Sequence, residues 1–285
     1  MSENSAFEGK VAVITGGGGT LCSCIAKHLA AAGAKVAVIG RTMGKLEAVV
    51  NEITAAGGVC IAKTGDVSNE ESMQRAAEEI KSELGPCGIL VNGAGGNNPK
   101  AITTNAAFTP EELDSEAFGD KIGFFNVNMD YFRSVIDINV VGTVICSRVF
   151  GRQMAESGGG GAILNFASMN SYRPLSCRPA YALSKAAIVN FTQWLASYLA
   201  PAGIRVNAVA PGFITNANNI RFYGSLETGY TPRGMNILAH TPMGRFGRAD
   251  ELLGVVDLLL DGGRAGFVTG VTVPVDGGFL SCSGL

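Results

Sequence analysis

With two histidines and one tryptophan in 285 residues, and no Cys-x-x-Cys, this protein is short of the groups on which several chemistries depend. His28 and His240 lie far apart, and His28 sits in an apolar helical pattern. A histidine-based triad or metal site is therefore not expected. The seven cysteines (Cys22, Cys24, Cys60, Cys87, Cys146, Cys177, Cys282) are odd in number and scattered through apparent core segments. That suits reduced thiols packed as small hydrophobes better than disulfides or zinc ligation. Charge is sparse too: 16% of residues are charged, the formal net charge is -2, and there is no long basic run. Neither nucleic acid nor an anionic membrane surface is an expected partner. No stretch is apolar for 18 residues and the first ten residues are polar, which argues against a membrane span or a secretory signal. The expectation is a soluble, cytoplasmic protein.

Apolar residues, by contrast, are plentiful at 47%, enough for a large core, and no linker interrupts the sequence. One α/β domain over residues 1–285, built on a doubly wound, Rossmann-like parallel sheet flanked by helices, is the expected fold. Lys10 to Thr15 reads as a buried strand, Gly16 to Gly19 as a turn, and the alanine-rich segment ending near Gly33 as a helix. Strand, glycine turn and helix make a phosphate cradle, since glycines let the backbone approach a pyrophosphate and the helix start supplies free N–H groups. Gly16, Gly18, Gly19, Thr20 and Leu21 are its candidate residues. The next strand, Lys35 to Ile39, ends in Gly40-Arg41 rather than in an acid. An acid there would accept from the ribose 2'-hydroxyl of NAD, whereas glycine and arginine leave room and charge for a 2'-phosphate. NADP is the expected cofactor and NAD the alternative.

The chemistry is expected between Ile163 and Asn190. A β-prone run, Ile163 to Phe166, leads to Ser168, and after a polar turn Tyr181-Ala-Leu-Ser-Lys185 opens a helix-like segment. Tyr181 and Lys185 share one face at that spacing. A nearby ammonium favours the phenolate of a tyrosine, which can then exchange a proton with an alcohol or carbonyl.

Tyr181-x-x-x-Lys185, Ser168 thirteen residues earlier and the glycine-rich start together resemble the short-chain dehydrogenase/reductase family, over about Phe7 to Gly278. The resemblance implies that Tyr181 is the general acid/base and that Lys185 lowers its pKa and bonds the nicotinamide ribose. It implies that Ser168 holds the substrate oxygen and that Asn139, of Asn139-Val-Val-Gly142, orders a proton-relay water. It places Asp66-Val67 against the adenine, Asn92-Gly93-Ala94-Gly95 beside the cofactor, and Pro211-Gly212 with Ile214 and Thr215 over the nicotinamide. The sequence departs from the pattern at Thr20 and Cys22, where the family has glycine, and at Gly93, where it has asparagine. Thr215 falls one position early and Asn216 takes its usual place. A homotetramer is also implied.

Two long segments bear on the substrate. From Gly95 to Asn139 is 44 residues, an insertion of about 96–132 that either faces the substrate with Asn97, Asn98 and Lys100 or is a surface addition without function. Residues 213–240 read as a polar, loop-like lid carrying Asn216, Asn218, Asn219, Arg221 and Arg233. Gly-Gly-Asn-x-Pro-Lys near residue 100, Ser-Met-Asn at 168–170, Arg173-Pro, Phe-Thr-Gln-Trp at 191–194 and His-Thr-Pro-Met-Gly-Arg-Phe-Gly at 240–247 look like the D-mannonate oxidoreductases (fructuronate reductases) of the short-chain type. That similarity implies interconversion of D-mannonate and D-fructuronate. Candidate substrate contacts are Asn97, Lys100, Ser168, Asn170, Arg173 and Arg221, arginine being the natural bidentate partner of a carboxylate. Rival readings are a dehydrogenase of gluconate-like polyols or ketoacyl groups, and a non-catalytic cofactor sensor, the latter suggested by Thr20, Cys22 and Gly93.

Overall fold

The computed structural model describes residues 6–216 and 219–282. Val11–Thr15 (β1) is buried at every position, as a strand must be when helices cover both faces of its sheet. Six more strands join it: Lys35–Gly40 (β2), Val59–Thr64 (β3), Cys87–Asn92 (β4), Gly161–Phe166 (β5), Ile204–Pro211 (β6) and Thr272–Val275 (β7). They form one parallel sheet in the order β3-β2-β1-β4-β5-β6-β7. The order reverses between β1 and β4, and such a reversal opens a ligand crevice at the carboxyl ends of the strands.

Side chains alternate across each strand, so β1 feeds two cores. Ala12 and Ile14 join Ile25 and Leu29 of α1 (Thr20–Ala31), Leu46, Val49 and Ile53 of α2 (Met43–Ala55), and a helix near the carboxyl end. Val11 and Val13 join Met73 and Ile80 of α3 (Glu70–Leu84), Phe150 and Met154 of α4 (Met129–Ser157), and Leu195 of α5 (Pro179–Leu199). Among the described residues α4 alone is long and apolar enough to cross a membrane. Half of its most apolar window is buried, however, and it lies in this helix layer.

Two segments differ from the sequence reading. The helix expected from Asp137 begins at Met129, where the Asn128 side chain accepts from the Asp130 and Tyr131 N–H groups. Tyr131 and Phe132 are therefore helical, and they pack with Ala101, Val135, Ala180 and Tyr181, which sets the start of the insertion behind the tyrosine of interest. A polar cap at Asn128 and a helical apolar spacing outweigh the aromatic, loop-like composition. Within α4, Asp137–Val141 forms one π-turn that contains Asn139. The lid is also more ordered than a loop. It holds α6 (Ile220–Tyr223), a pair of two-residue strands, Gly224–Ser225 and Gly229–Tyr230, and α7 (Pro232–Ala239). Thr231 caps α7 by accepting from Gly234 N–H at 3.0 Å, with Pro232 in the first turn. Helix α8 (Leu253–Leu260) completes the first layer.

Beneath the carboxyl edge runs a buried polar network. Asn92 Nδ2 donates to Ser147 Oγ at 3.0 Å and Asn165 Oδ1 at 2.9 Å, and Asn165 Nδ2 donates to Thr192 Oγ1 at 3.0 Å. These bonds tie β4 and β5 to α4 and α5. Asn165→Ala removes one hydrogen bond from each of two buried partners, Asn92 and Thr192, and should lower stability by about 1–3 kcal/mol; an unchanged urea midpoint would show that the network carries no such load.

Candidate active site

Ser168 ends the extension of β5 in an extended backbone, and its hydroxyl accepts from Asn170 N–H (3.2 Å) and Nδ2 (3.3 Å). Asn170 Oδ1 in turn accepts from Leu175 N–H at 3.0 Å, so Asn170 orients the serine and ties down the loop behind it. Tyr181 and Lys185 lie one turn apart at the start of α5, where Pro179 occupies the first helical position. The Lys185 ammonium donates to Phe166 O at 2.6 Å and sits 5.6 Å from the Tyr181 ring centre. Asn139 donates to Gly96 O (2.7 Å) and Val135 O (2.8 Å) and accepts from Gly96 N–H (3.1 Å). It thereby clips the turn after β4 to α4, and a side chain at Gly95 would stand 2.5 Å from Asn139 Oδ1 and 3.7 Å from Lys185 Nζ.

The electrostatics differ from the expectation for Tyr181. Burial raises its pKa; the Ser168 hydrogen bond and the Arg178 charge pull it back only in part. Burial also lowers Lys185, to about 8, and its ammonium is directed at a carbonyl rather than at the phenol. At neutral pH the tyrosine is thus a phenol, a group able to donate a proton. Removing a proton from an alcohol requires the rarer phenolate.

The cofactor end has the shape of a cradle. Gly16 has φ +66°, and a Cβ there would stand 2.9 Å from the Ala94 backbone. A Cβ on Gly18 would come as close to Lys45, and Gly19 precedes α1, whose N-terminus no side chain caps. Its free N–H groups suit a pyrophosphate, and Thr20 begins the helix in a backbone that any residue adopts. The other two departures answer each other. Cys22 Sγ occupies the space that a Cβ at Gly93 would fill, so a larger residue at 22 is matched by the loss of a side chain at 93. Thr15 Oγ1 accepts from both Gly93 and Ala94 N–H at 3.2 Å and fixes that turn. Across the cradle, Ser68 hydrogen bonds hold Asp66 below the usual carboxylate range, with a contribution from the Arg41 charge; Val67 packs against Gly142. Asn92 faces the buried polar network and does not line the cavity.

Over Ser168 and Tyr181 lies a cavity of about 730 Å³. Asn97, Asn170, Lys185, Leu21, Gly93, Gly95, Pro211, Gly212 and Ile214 line it, and so does Asn216, whereas Thr215 does not. All three expected substrate cations lie elsewhere. Arg173 donates to the carbonyls of Phe279 and Leu280 at 3.4 Å and to that of Cys282, tying down the carboxyl-terminal turn. Lys100 donates to Tyr131 OH at 3.1 Å and covers that ring. Arg221 lies over Phe222. Asn98 donates to Ser134 Oγ at 3.3 Å, and Asn218 lies outside the described residues. The cations that do face the cavity are Lys185, Arg233 and Arg178, together with Phe213, Phe222 and Tyr223. Arg178 is not among the residues expected from sequence, although its place immediately before Pro179, which starts the helix of Tyr181, is a usable signal. A cavity of about 830 Å³ at the opposite end of the strands is lined mainly by glycine and apolar residues.

A sequence profile described as short chain dehydrogenase matches residues 10–222. An uncharacterized oxidoreductase of Bacillus subtilis, UxuB, is 44% identical over all of this chain and 99% of its own length. A Haemophilus influenzae crystal structure, provisionally assigned as a D-mannonate oxidoreductase and containing NAD, has 40% identity and a TM-score of 0.90, covering 98% of this chain and 97% of that one. A Beutenbergia cavernae structure, provisionally a gluconate 5-dehydrogenase with bound NADP, has 33% identity and a TM-score of 0.79, covering 98% and 99%.

Two outcomes test the site. Gly93→Asn alone should abolish or strongly weaken binding of reduced cofactor, followed by its fluorescence, and adding Cys22→Gly should restore it; equal binding by both variants would refute the exchange. Tyr181→Phe should lower turnover by at least roughly 10²-fold. Because burial raises the Tyr181 pKa, wild-type kcat/KM for alcohol oxidation should climb from pH 7 towards 9, whereas carbonyl reduction should not; a flat oxidation profile would contradict the assignment.

Proposed function

The protein belongs to the short-chain dehydrogenase family, as an oxidoreductase acting on hydroxyl groups, and we propose that it interconverts a sugar acid and its keto form, D-mannonate and D-fructuronate. One observation carries the reading. Among the described residues, the wall over Ser168 and Tyr181 includes Asn97, Asn170, Asn216 and Asn219 and three cations, and no Asp or Glu. Asparagines both donate to and accept from hydroxyls, and uncompensated cations favour an anion. The similarity to the Haemophilus protein points the same way.

Asn139, Ser168, Tyr181 and Lys185 are the proposed catalytic set. Ser168 holds the reacting oxygen, Tyr181 gives it a proton in reduction and takes it back in oxidation, and the buried Lys185 holds the end of β5. A nicotinamide cofactor supplies the hydride. The residues present fit one: Gly16 to Leu21 would hold its pyrophosphate, Asp66 and Val67 its adenine, Ala94 and Gly95 its central part, and Pro211 to Ile214 with Asn216 its nicotinamide. NADP is the proposed preference, since Arg41 follows β2 and Lys45 packs over Gly18. The NAD bound by the Haemophilus structure favours NAD as the second reading. A homo-oligomer is proposed as well. On α5, Trp194 and Tyr198 stack at 5.1 Å and are exposed with Leu183, an apolar face suited to burial against another copy.

Absorbance at 340 nm with NADH or NADPH and D-fructuronate, D-mannonate, gluconate or 5-ketogluconate tests the reading. Turnover selective for the first two sugar acids is expected, and preference for either of the others would overturn it. Gly40→Asp, whose Cβ would meet only the flexible end of Leu46 at 3.2 Å, should shift cofactor preference from NADPH towards NADH by about tenfold or more. An unchanged ratio would remove Arg41 from the account.

A further inference from the structure

Two arginines that face the cavity lack the hydrogen-bonded or ion-paired partners that most arginines in the molecule have. Arg245 and Arg248 pair with Glu251 and Asp250, and Arg205 donates to the carbonyls of Leu259 and Leu260. Arg178 and Arg233 line the cavity, and among the described residues neither guanidinium has a hydrogen-bonded or ion-paired partner. They stand on different elements. Arg178 is the N-cap residue of the helix that carries Tyr181, and Arg233 is in the first turn of lid helix α7.

Both are held in place by what surrounds them. Cys177, immediately before Arg178, is the one non-glycine among the described residues with positive φ, at 65°. Such strain persists only where neighbours enforce it, and here Thr103 N–H of the insertion donates to Cys177 O at 3.1 Å. On the lid side, Arg233 lies 5.9 Å over the Tyr223 ring, which stacks on Phe246 at 5.2 Å. On the same cavity wall, Asn97 presents an amide whose nitrogen and oxygen are both buried without a partner. A buried amide with neither end satisfied is costly unless a ligand completes it.

We propose that Arg178 and Arg233 clamp the substrate carboxylate from two sides, with the Asn97 amide taking a hydroxyl between the carboxylate and the reacting carbon. The proposal rests on the sugar-acid reading and deepens it. In D-fructuronate the keto carbon and the carboxylate are separated by three carbinol carbons, so one end can meet Ser168 and Tyr181 while the other meets the arginines. A carboxylate that bridges α5 and α7 also seats the lid, so recognition of charge and closure of the site are one event.

The test compares reduction of D-fructuronate with that of D-fructose, its neutral counterpart, by wild type, Arg178→Gln, Arg233→Gln and the double variant. The ratio of the two kcat/KM values should fall by ~10–100-fold per arginine, the size of one charge-assisted hydrogen bond, with KM for the acid carrying most of the loss and lysine at either position recovering part of it. An unchanged ratio in the double variant overturns the clamp while leaving the sugar-acid reading intact. If wild type prefers D-fructose, the sugar-acid reading itself falls. If wild type reduces neither, calorimetric titration of D-mannonate into cofactor-loaded protein decides: arginine-dependent binding supports the clamp, and its absence overturns it.

Discussion

The buried bond from Lys185 to the Phe166 carbonyl is the contact on which the site depends. A fully desolvated ammonium is tolerable only where an acceptor receives it, and this acceptor is the last residue of β5. The bond sets the start of α5 against the end of that strand, so Tyr181, one turn earlier, lies beside Ser168, which follows the strand. Ser171 Oγ repeats the tie by donating to Lys185 O at 2.6 Å. Asn139, in its π-turn, does the same for the turn after β4. Tyr181, Ser168 and the turn after β4 are thus referred to one point on the sheet edge.

Around that point the molecule divides its charge. The protein as a whole carries a formal -2, yet the cavity wall is cationic, which concentrates small anions locally. The same low-dielectric burial that lowers Lys185 raises Tyr181 and leaves the tyrosine protonated. A protonated tyrosine beside a cationic pocket is suited to reducing a keto acid at neutral pH, with oxidation gaining as pH rises.

What was legible in the sequence was local. Buried strands, the glycine turn and the Tyr181–Lys185 spacing follow from short-range periodicity, and the doubly wound parallel sheet follows from the βαβ pattern. Features set by distant contacts were hidden. Arg173 and Arg178 are equivalent by composition, but the carboxyl-terminal carbonyls engage one while the strained Cys177 turn directs the other to the cavity. Cys22 and Gly93 each looked like a defect in a motif, and only their contact across the β1–β4 crevice shows that one accommodates the other. The lid read as a loop because its elements are too short for periodicity to register.

That one cavity at the carboxyl edge takes a sugar acid, with its reacting carbon at Ser168 and Tyr181, is tested most directly by a crystal structure of Tyr181→Phe with NADP and D-mannonate. The expected result has the carbinol to be oxidised within hydrogen-bond reach of Ser168 Oγ and the carboxylate on the side of Arg178 and Arg233. A sugar acid bound with its carboxylate at Ser168, or bound outside this cavity, would contradict it.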